Sequence, residues 1–296
     1  KDNIVQLSLI LSLFIACSET NESNFFKTGL FTQTYQQGTI LREYLIYIPQ
    51  SYDGTGNVPL LLVFHGFGGR VQDMMYTADF RDLAESENFI LVYPQGLEFE
   101  NESYSYHWNT GFASDDNKSS SDDFGFVEGL IGDVSTHLLV DTSKIYATGY
   151  SNGGFFTYAL ACYYSDLFTA IAPVSGTMMD DTYEACNPSH PTPVMHLHGT
   201  DDGTVSYNGG EGLTSVDESI GYWTSYNNTD TTPSINTFSN QSLEHYVYDN
   251  GERESSVELY KVLNGEHIWF DFELDGVPTN TLMWNFLSKY NMNDLR

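Results

Sequence analysis

From residue 38 onward, apolar runs alternate with stretches of helical pattern. The apolar, largely β-branched runs stand at Ile40–Ile48, Pro59–His65, Phe89–Tyr93, Lys144–Thr148, Ala170–Val174, Val194–His198 and Val257–Val262. Several are nearly continuous rather than alternating, as parallel strands covered on both faces must be. Between them, Ala78–Glu87, Phe124–Leu138, Asn152–Tyr164, Glu218–Tyr226 and Leu282–Tyr290 read as helices. Strand, helix, strand, helix predicts an α/β fold with a mostly parallel, doubly wound sheet. Tyr246–Tyr248 and Val257–Val262 flank Asn250-Gly251, a hairpin signal. The Ser/Asp-rich stretches Asp115–Asp123 and Thr229–Ser242 read as surface loops. No Pro/Ser-rich linker divides the chain after residue 30, so 38–296 is expected to be one domain. No insertion between Tyr207 and Asp217 is large enough for a helical lid.

The beginning of the chain follows other rules. Ile4–Ala16 is apolar apart from Gln6, Ser8 and Ser12, too short to span a bilayer but suited to a signal-peptide core. We expect residues 1–17 to be such a signal. The pair Ala16-Cys17 resembles a lipobox, which makes Cys17 a candidate lipidation site; ordinary secretion is the alternative. Any membrane contact would run through this anchor. Residues 18–37 then read as tether and lead-in.

Charge narrows the class of partner. The 296 residues include 40 acidic against 11 basic side chains, a formal −29. A surface this negative repels phosphate backbones, so nucleic acid is excluded as a partner. A soluble, monomeric protein is expected.

Candidate chemistry gathers just after strands. Gly149-Tyr150-Ser151-Asn152-Gly153 is a G-x-S-x-G between the strand at Lys144–Thr148 and the helix at Asn152–Tyr164. That order is the requirement of a nucleophile elbow, and the helix N-terminus aims N–H groups at a developing oxyanion. A serine hydroxyl needs a base, and the base needs an orienting acid. The expected chain order is Ser, acid, His. His198-Gly199-Thr200-Asp201-Asp202 follows a strand directly, so the acid is Asp201 or Asp202. Leu263–His267 follows the last strand, which places His267 as the base. The turn His65–Gly69 after an early strand is a second source of oxyanion N–H groups.

These segments also carry a family resemblance. Ile145–Gly176 is similar to the nucleophile region of the polyhydroxybutyrate-depolymerase-like esterases, a group that includes feruloyl and acetylxylan esterases of carbohydrate esterase family 1. Phe64–Gly69, Tyr93–Gly96, Trp108-Asn109, Asp122–Val127, Cys186–Val194 and His198–Tyr207 match as well. The resemblance spans about residues 38–290. It implies an α/β-hydrolase fold, Ser151 as nucleophile, His267 as base and Asp202 as acid. It also implies Asn152 and Phe67 as oxyanion donors. Where family members often have Gly-Gly-Gly-His, this chain has Asn264-Gly265-Glu266-His267, and Ser206 stands where Pro is common.

The reading that results is an exported serine carboxylester hydrolase needing no cofactor and no metal. Its expected substrate is a feruloyl or acetyl ester on a polysaccharide. The alternatives are a short-chain polyhydroxyalkanoate hydrolase, an acyltransferase using the same triad, and a non-catalytic surface binding protein. Trp108, Tyr150 and Trp269 are expected to line the substrate cleft with flat aromatic faces. His196, His198, Asp201 and Asp202 resemble a metal cluster, but His196 falls within a buried apolar run. Asp271–Gly276 begins like a calcium loop, yet Leu282 stands where the closing Glu belongs. Cys162 and Cys186 remain as a pair once Cys17 is set aside. Cys162 lies about 16 Å along the helix after Ser151, at the far edge of the sheet. Cys186 precedes a strand that begins at that same edge, so a Cys162–Cys186 disulfide is expected.

Overall fold

The computed structural model describes residues 27–99, 105–111, 119–238 and 242–294. The signal-peptide reading, the Cys17 site and the start of the tether lie outside the described residues.

Ten strands form one sheet: β1 (Gly29–Gln37), β2 (Ile40–Ile48), β3 (Val58–Phe64), β4 (Ile90–Pro94), β7 (Val140–Tyr150), β8 (Ala170–Val174), β9 (Val194–Gly199), β10 (Ser234–Phe238), β11 (Leu243–Tyr248) and β12 (Val257–Val262). Two small ribbons pair β5 (Leu97–Glu98) with β6 (Tyr106–His107), and β13 (Glu273–Leu274) with β14 (Val277–Pro278). The sheet order is β1-β2-β4-β3-β7-β8-β9-β12-β11-β10. The stretch from β4 to β12 is parallel, and antiparallel strands close both edges. This is the doubly wound sheet that the alternating runs predict.

Helices cover both faces. On one side lie α3 (Asp123–His137), α4 (Asn152–Tyr163) and α6 (Val216–Tyr226), with Phe126, Phe156 and Trp223 in one core. On the other lie α1 (Val71–Thr77), α2 (Arg81–Glu87) and α7 (Thr279–Leu287), with Met74, Ala84 and Trp284 in a second core. In β3, Leu60, Leu62 and Phe64 enter the first core while Leu61 and Val63 enter the second. Burial on both faces is why that run shows no alternation. Helix α6 begins on a capping box in which Ser215 and Glu218 satisfy each other's backbone N–H groups.

Several boundaries differ from the expectation. The lead-in read at 18–37 ends in a strand, because Gly29–Gln37 pairs along its whole length with β2. The helix expected at Ala78–Glu87 is preceded by a separate one at Val71–Thr77, the two parted by a break at Ala78–Phe80. The loop expected at Thr229–Ser242 contains the edge strand β10. β11 and β12 pair antiparallel as foreseen, but residues 249–256 join them through a short 3-10 turn rather than a tight hairpin. Between β9 and α6, residues 200–215 carry no helix.

Cys162, in the last turn of α4, is bonded to Cys186, just after α5 (Asp180–Ala185), with their Cα atoms 4.7 Å apart.

Candidate active site

Strand β7 delivers Ser151 at φ 56° and ψ −118°, and α4 starts at the next residue. A non-glycine residue pays strain for a positive φ, so the neighbours must enforce it. They do so by crowding. A Cβ on Gly149 would stand 2.3 Å from the Gly153 carbonyl oxygen, and one on Gly153 would stand 2.4 Å from that of Phe64. The spacing of the motif is therefore a packing requirement. Ser151 N donates to Val174 O at 2.9 Å, which fixes the elbow to β8. The first N–H groups of α4 have no carbonyl one turn back, and Asn152 carries the first of them.

Two loops from the far half of the chain meet this serine. His267 Nε2 lies 2.9 Å from Ser151 Oγ. His267 Nδ1 lies 2.7 Å from Asp202 Oδ2. Asp202 is buried, and its other oxygen accepts the N–H groups of Thr204 at 2.9 Å and Val205 at 2.7 Å. Asp201 is exposed and makes no bond to His267; its N–H goes to Gly265 O. Of the two acids that the residues alone left open, Asp202 is the one in contact with His267. The histidine loop is fastened from behind: Tyr150 Oη donates to His267 O at 2.8 Å, and Ser175 Oγ to Ile268 O at 2.9 Å.

The turn His65–Gly69 passes beside the serine, close enough that a Cβ on Gly66 would lie 3.3 Å from Ser151 Cβ. Buried His65 braces it. Its Nδ1 donates to Gly66 O at 2.7 Å and its Nε2 accepts Gly96 N–H at 3.0 Å. Burial pushes its pKa down to about 4, so the ring stays neutral and keeps this donor–acceptor pattern. Phe67 at the tip of the turn is 53% exposed.

A cavity of about 790 Å³ opens beside Asn152, lined by Phe67, Phe99, Trp108, Tyr163 and Asp181 among others. That volume is in the range of ligand sites. Trp108 is 1% exposed, stacked on Phe156, with Nε1 donating to His65 O, so it is chiefly a core residue behind the lining. The Asn152 amide clasps Trp108 from both sides, accepting its N–H at 2.7 Å and donating to its carbonyl at 3.0 Å. One residue on, Asn109 N donates to Asp123, which is paired with Arg42 at 2.6 Å in a fully buried ion pair.

The other expected aromatics are not brought to this cavity. Tyr150 lies against the His267 ring, centroids 5.0 Å apart, and its hydroxyl is engaged by the loop. Trp269 is 8% exposed, packs edge-on against Phe80 and donates its N–H to Asn280. The ring belongs to the second core and its N–H bonds half-buried Asn280, which the spacing to His267 could not reveal. Conversely, the Asn152 side chain and the Arg42–Asp123 pair hold the wall, a role that the sequence, which offered only the Asn152 N–H, does not assign. Among the described residues there is no cluster of three or more His, Cys, Asp or Glu suited to a metal ion.

Residues 41–272 match the model of a family described as "Putative esterase". The chain belongs to that esterase family. It is 30% identical over 172 residues to a bifunctional acetylxylan esterase/xylanase of Neocallimastix patriciarum, covering 58% of this chain and 23% of that protein. It is 24% identical over 262 residues to feruloyl esterase B of Piromyces equi, covering 85% and 46%. The chain therefore spans less than half the length of either relative. An acetyl xylan esterase from Aspergillus awamori has the same fold, with TM-score 0.62 at 16% identity over 88% of this chain and 99% of that one.

Proposed function

We propose that this esterase-family chain hydrolyses feruloyl or acetyl esters carried by polysaccharides, outside the cytoplasm. Ser151 Oγ attacks the ester carbonyl carbon while its proton passes to His267 Nε2. Asp202 holds Nδ1–H of His267 and stabilises the imidazolium. The N–H groups of Asn152 and Phe67 take the charge of the tetrahedral oxyanion. The alcohol leaves with the proton from His267, and water repeats the sequence on the acyl-enzyme. The observation that carries this reading is the unbroken Ser151–His267–Asp202 hydrogen-bond chain at a strained strand-to-helix turn. The names of the relatives favour the substrate class. Phe67 and Phe99 offer apolar walls to a phenolic or acetyl group. The Cys162–Cys186 bond favours an oxidising compartment.

The test is turnover of methyl ferulate, acetylated xylan, hydroxybutyrate oligomers and a long-chain triglyceride by the wild type and by Ser151→Ala. One of the first two should be fastest, and Ser151→Ala should lose at least about a thousandfold in kcat. Fastest turnover of the oligomers would transfer the chain to polyester hydrolysis. Retained activity in Ser151→Ala would remove the serine mechanism.

A further inference from the structure

Beneath the candidate acid, three buried side chains form a line. Tyr158 Oη is 2.8 Å from His196 Nδ1, His196 Nε2 is 3.1 Å from His198 Nδ1, and His198 Nε2 is 2.8 Å from Val205 O. The direction of every bond follows from its end. A carbonyl only accepts, so His198 Nε2 carries a proton. Burial holds both imidazoles neutral, pushing both pKa values down, so His198 Nδ1 is an acceptor. His196 Nε2 must then donate, and its Nδ1 must accept from Tyr158. All three donors point toward the loop that bears Asp202. They reach it twice. His198 Nε2 lies 3.4 Å from Asp202 Oδ2, and Val205, whose carbonyl it holds, gives its own N–H to Asp202 Oδ1.

We propose that Tyr158, His196 and His198 are positioning residues whose one-way hydrogen-bond chain fixes Asp202 as an acceptor for His267. This rests on the Ser151–His267–Asp202 reading above. A buried polar chain is costlier to build than an apolar strand face unless every member is satisfied. Here every member is satisfied, and the chain ends only at the acid loop. The groups facing His198 are His196 on its own strand, and Asp202 and Tyr207 from the loop beyond. His267 faces it from the loop after β12, and Lys261, its register partner on β12, holds its ammonium over the Tyr207 ring. Tyr207 in turn donates to Asp217.

Two independent measurements test the chain. The first is nitrogen-15 NMR of histidine-labelled wild type. Both His196 and His198 should be neutral Nε2–H tautomers at about pH 7.5. An Nδ1–H tautomer in either ring would overturn the proposal. The second compares His198→Phe, and a triple Tyr158→Phe/His196→Phe/His198→Phe variant that keeps the ring shapes without leaving an unpaired N–H on His196. On a soluble acetate ester, kcat should fall on the order of tenfold or more with KM unchanged. The acid limb of kcat/KM should move to higher pH, because the N–H dipole facing Asp202 and His267 is gone. A loss of folded protein would lower amplitude without moving that limb. If His198→Phe does not fold, the triple variant and the spectra decide. Ser151→Ala runs beside them. Full hydrolysis by Ser151→Ala would overturn the triad reading. An inactive Ser151→Ala, with a folded triple variant at wild-type kcat and an unmoved limb, would overturn the chain alone.

Discussion

Tyr150 donates its hydroxyl to the main-chain carbonyl of His267 at 2.8 Å, so the residue before Ser151 holds the loop of His267. Tyr150→Phe keeps the ring on the imidazole and removes only this bond. We expect kcat to fall several-fold with KM nearly unchanged, since a small displacement of a base is costly while binding elsewhere is intact. Steady-state kinetics on a small ester decide it; a raised KM at full kcat would return Tyr150 to the substrate cleft.

Asp201 and Asp202 are adjacent in sequence but differ in what they touch. Asp202→Asn should cost on the order of 10⁴ in kcat by favouring the wrong tautomer of His267, as in other Ser-His-Asp sites. Asp201→Asn, at an exposed carboxylate, should leave kcat within about twofold. The reverse ranking would move the acid by one residue.

The Cys162–Cys186 bond closes a loop over a sequence separation of 24, at the edge of the sheet away from Ser151. Replacing both with Ala should lower unfolding free energy by about 3 kcal/mol in the chain-entropy picture. Activity at room temperature should be unchanged. Denaturant titration and a single-temperature assay separate the two effects.

Burial lowers the pKa values of His65, His196 and His198 in the folded chain. The unfolded chain titrates them near 6.5. Below that pH the unfolded state binds protons that the folded state refuses, so stability is complete above about 6.5 and declines as pH falls toward the folded values. Each histidine contributes a slope of up to about 1.4 kcal/mol per pH unit. Denaturation midpoints at about pH 7.5 and pH 5.5 should therefore drop less in the Tyr158→Phe/His196→Phe/His198→Phe variant than in the wild type. Equal drops would mean that His196 and His198 are not the source.

What could be read in advance divides along a physical line. The elbow was legible because Gly149 and Gly153 answer to backbone atoms within one turn or one neighbouring strand. His267 was legible because its loop follows the last parallel strand directly. Strands β1 and β10 were not, since each lies at a sheet edge and buries at most one face, leaving polar residues such as Gln33 and Asn236 exposed or half-exposed. Tyr150 and Trp269 were less legible for another reason. Whether Tyr150 faces a cleft or a loop depends on a segment 117 positions away, and whether Trp269 is a wall or core depends on Asn280. No local pattern encodes such contacts.

The grip of Asn152 on both main-chain polar groups of Trp108 couples two duties that are usually described apart. The same residue supplies a candidate oxyanion N–H and a backbone-mimicking amide that needs nothing from the Trp108 side chain. A change of side chain at position 108 would therefore leave this main-chain clasp in place, while it would remove the separate bond from the indole to His65 O. The amide at 152 is a mount that joins one wall of the cavity to the turn at Ser151, so a shift of either is felt by the other.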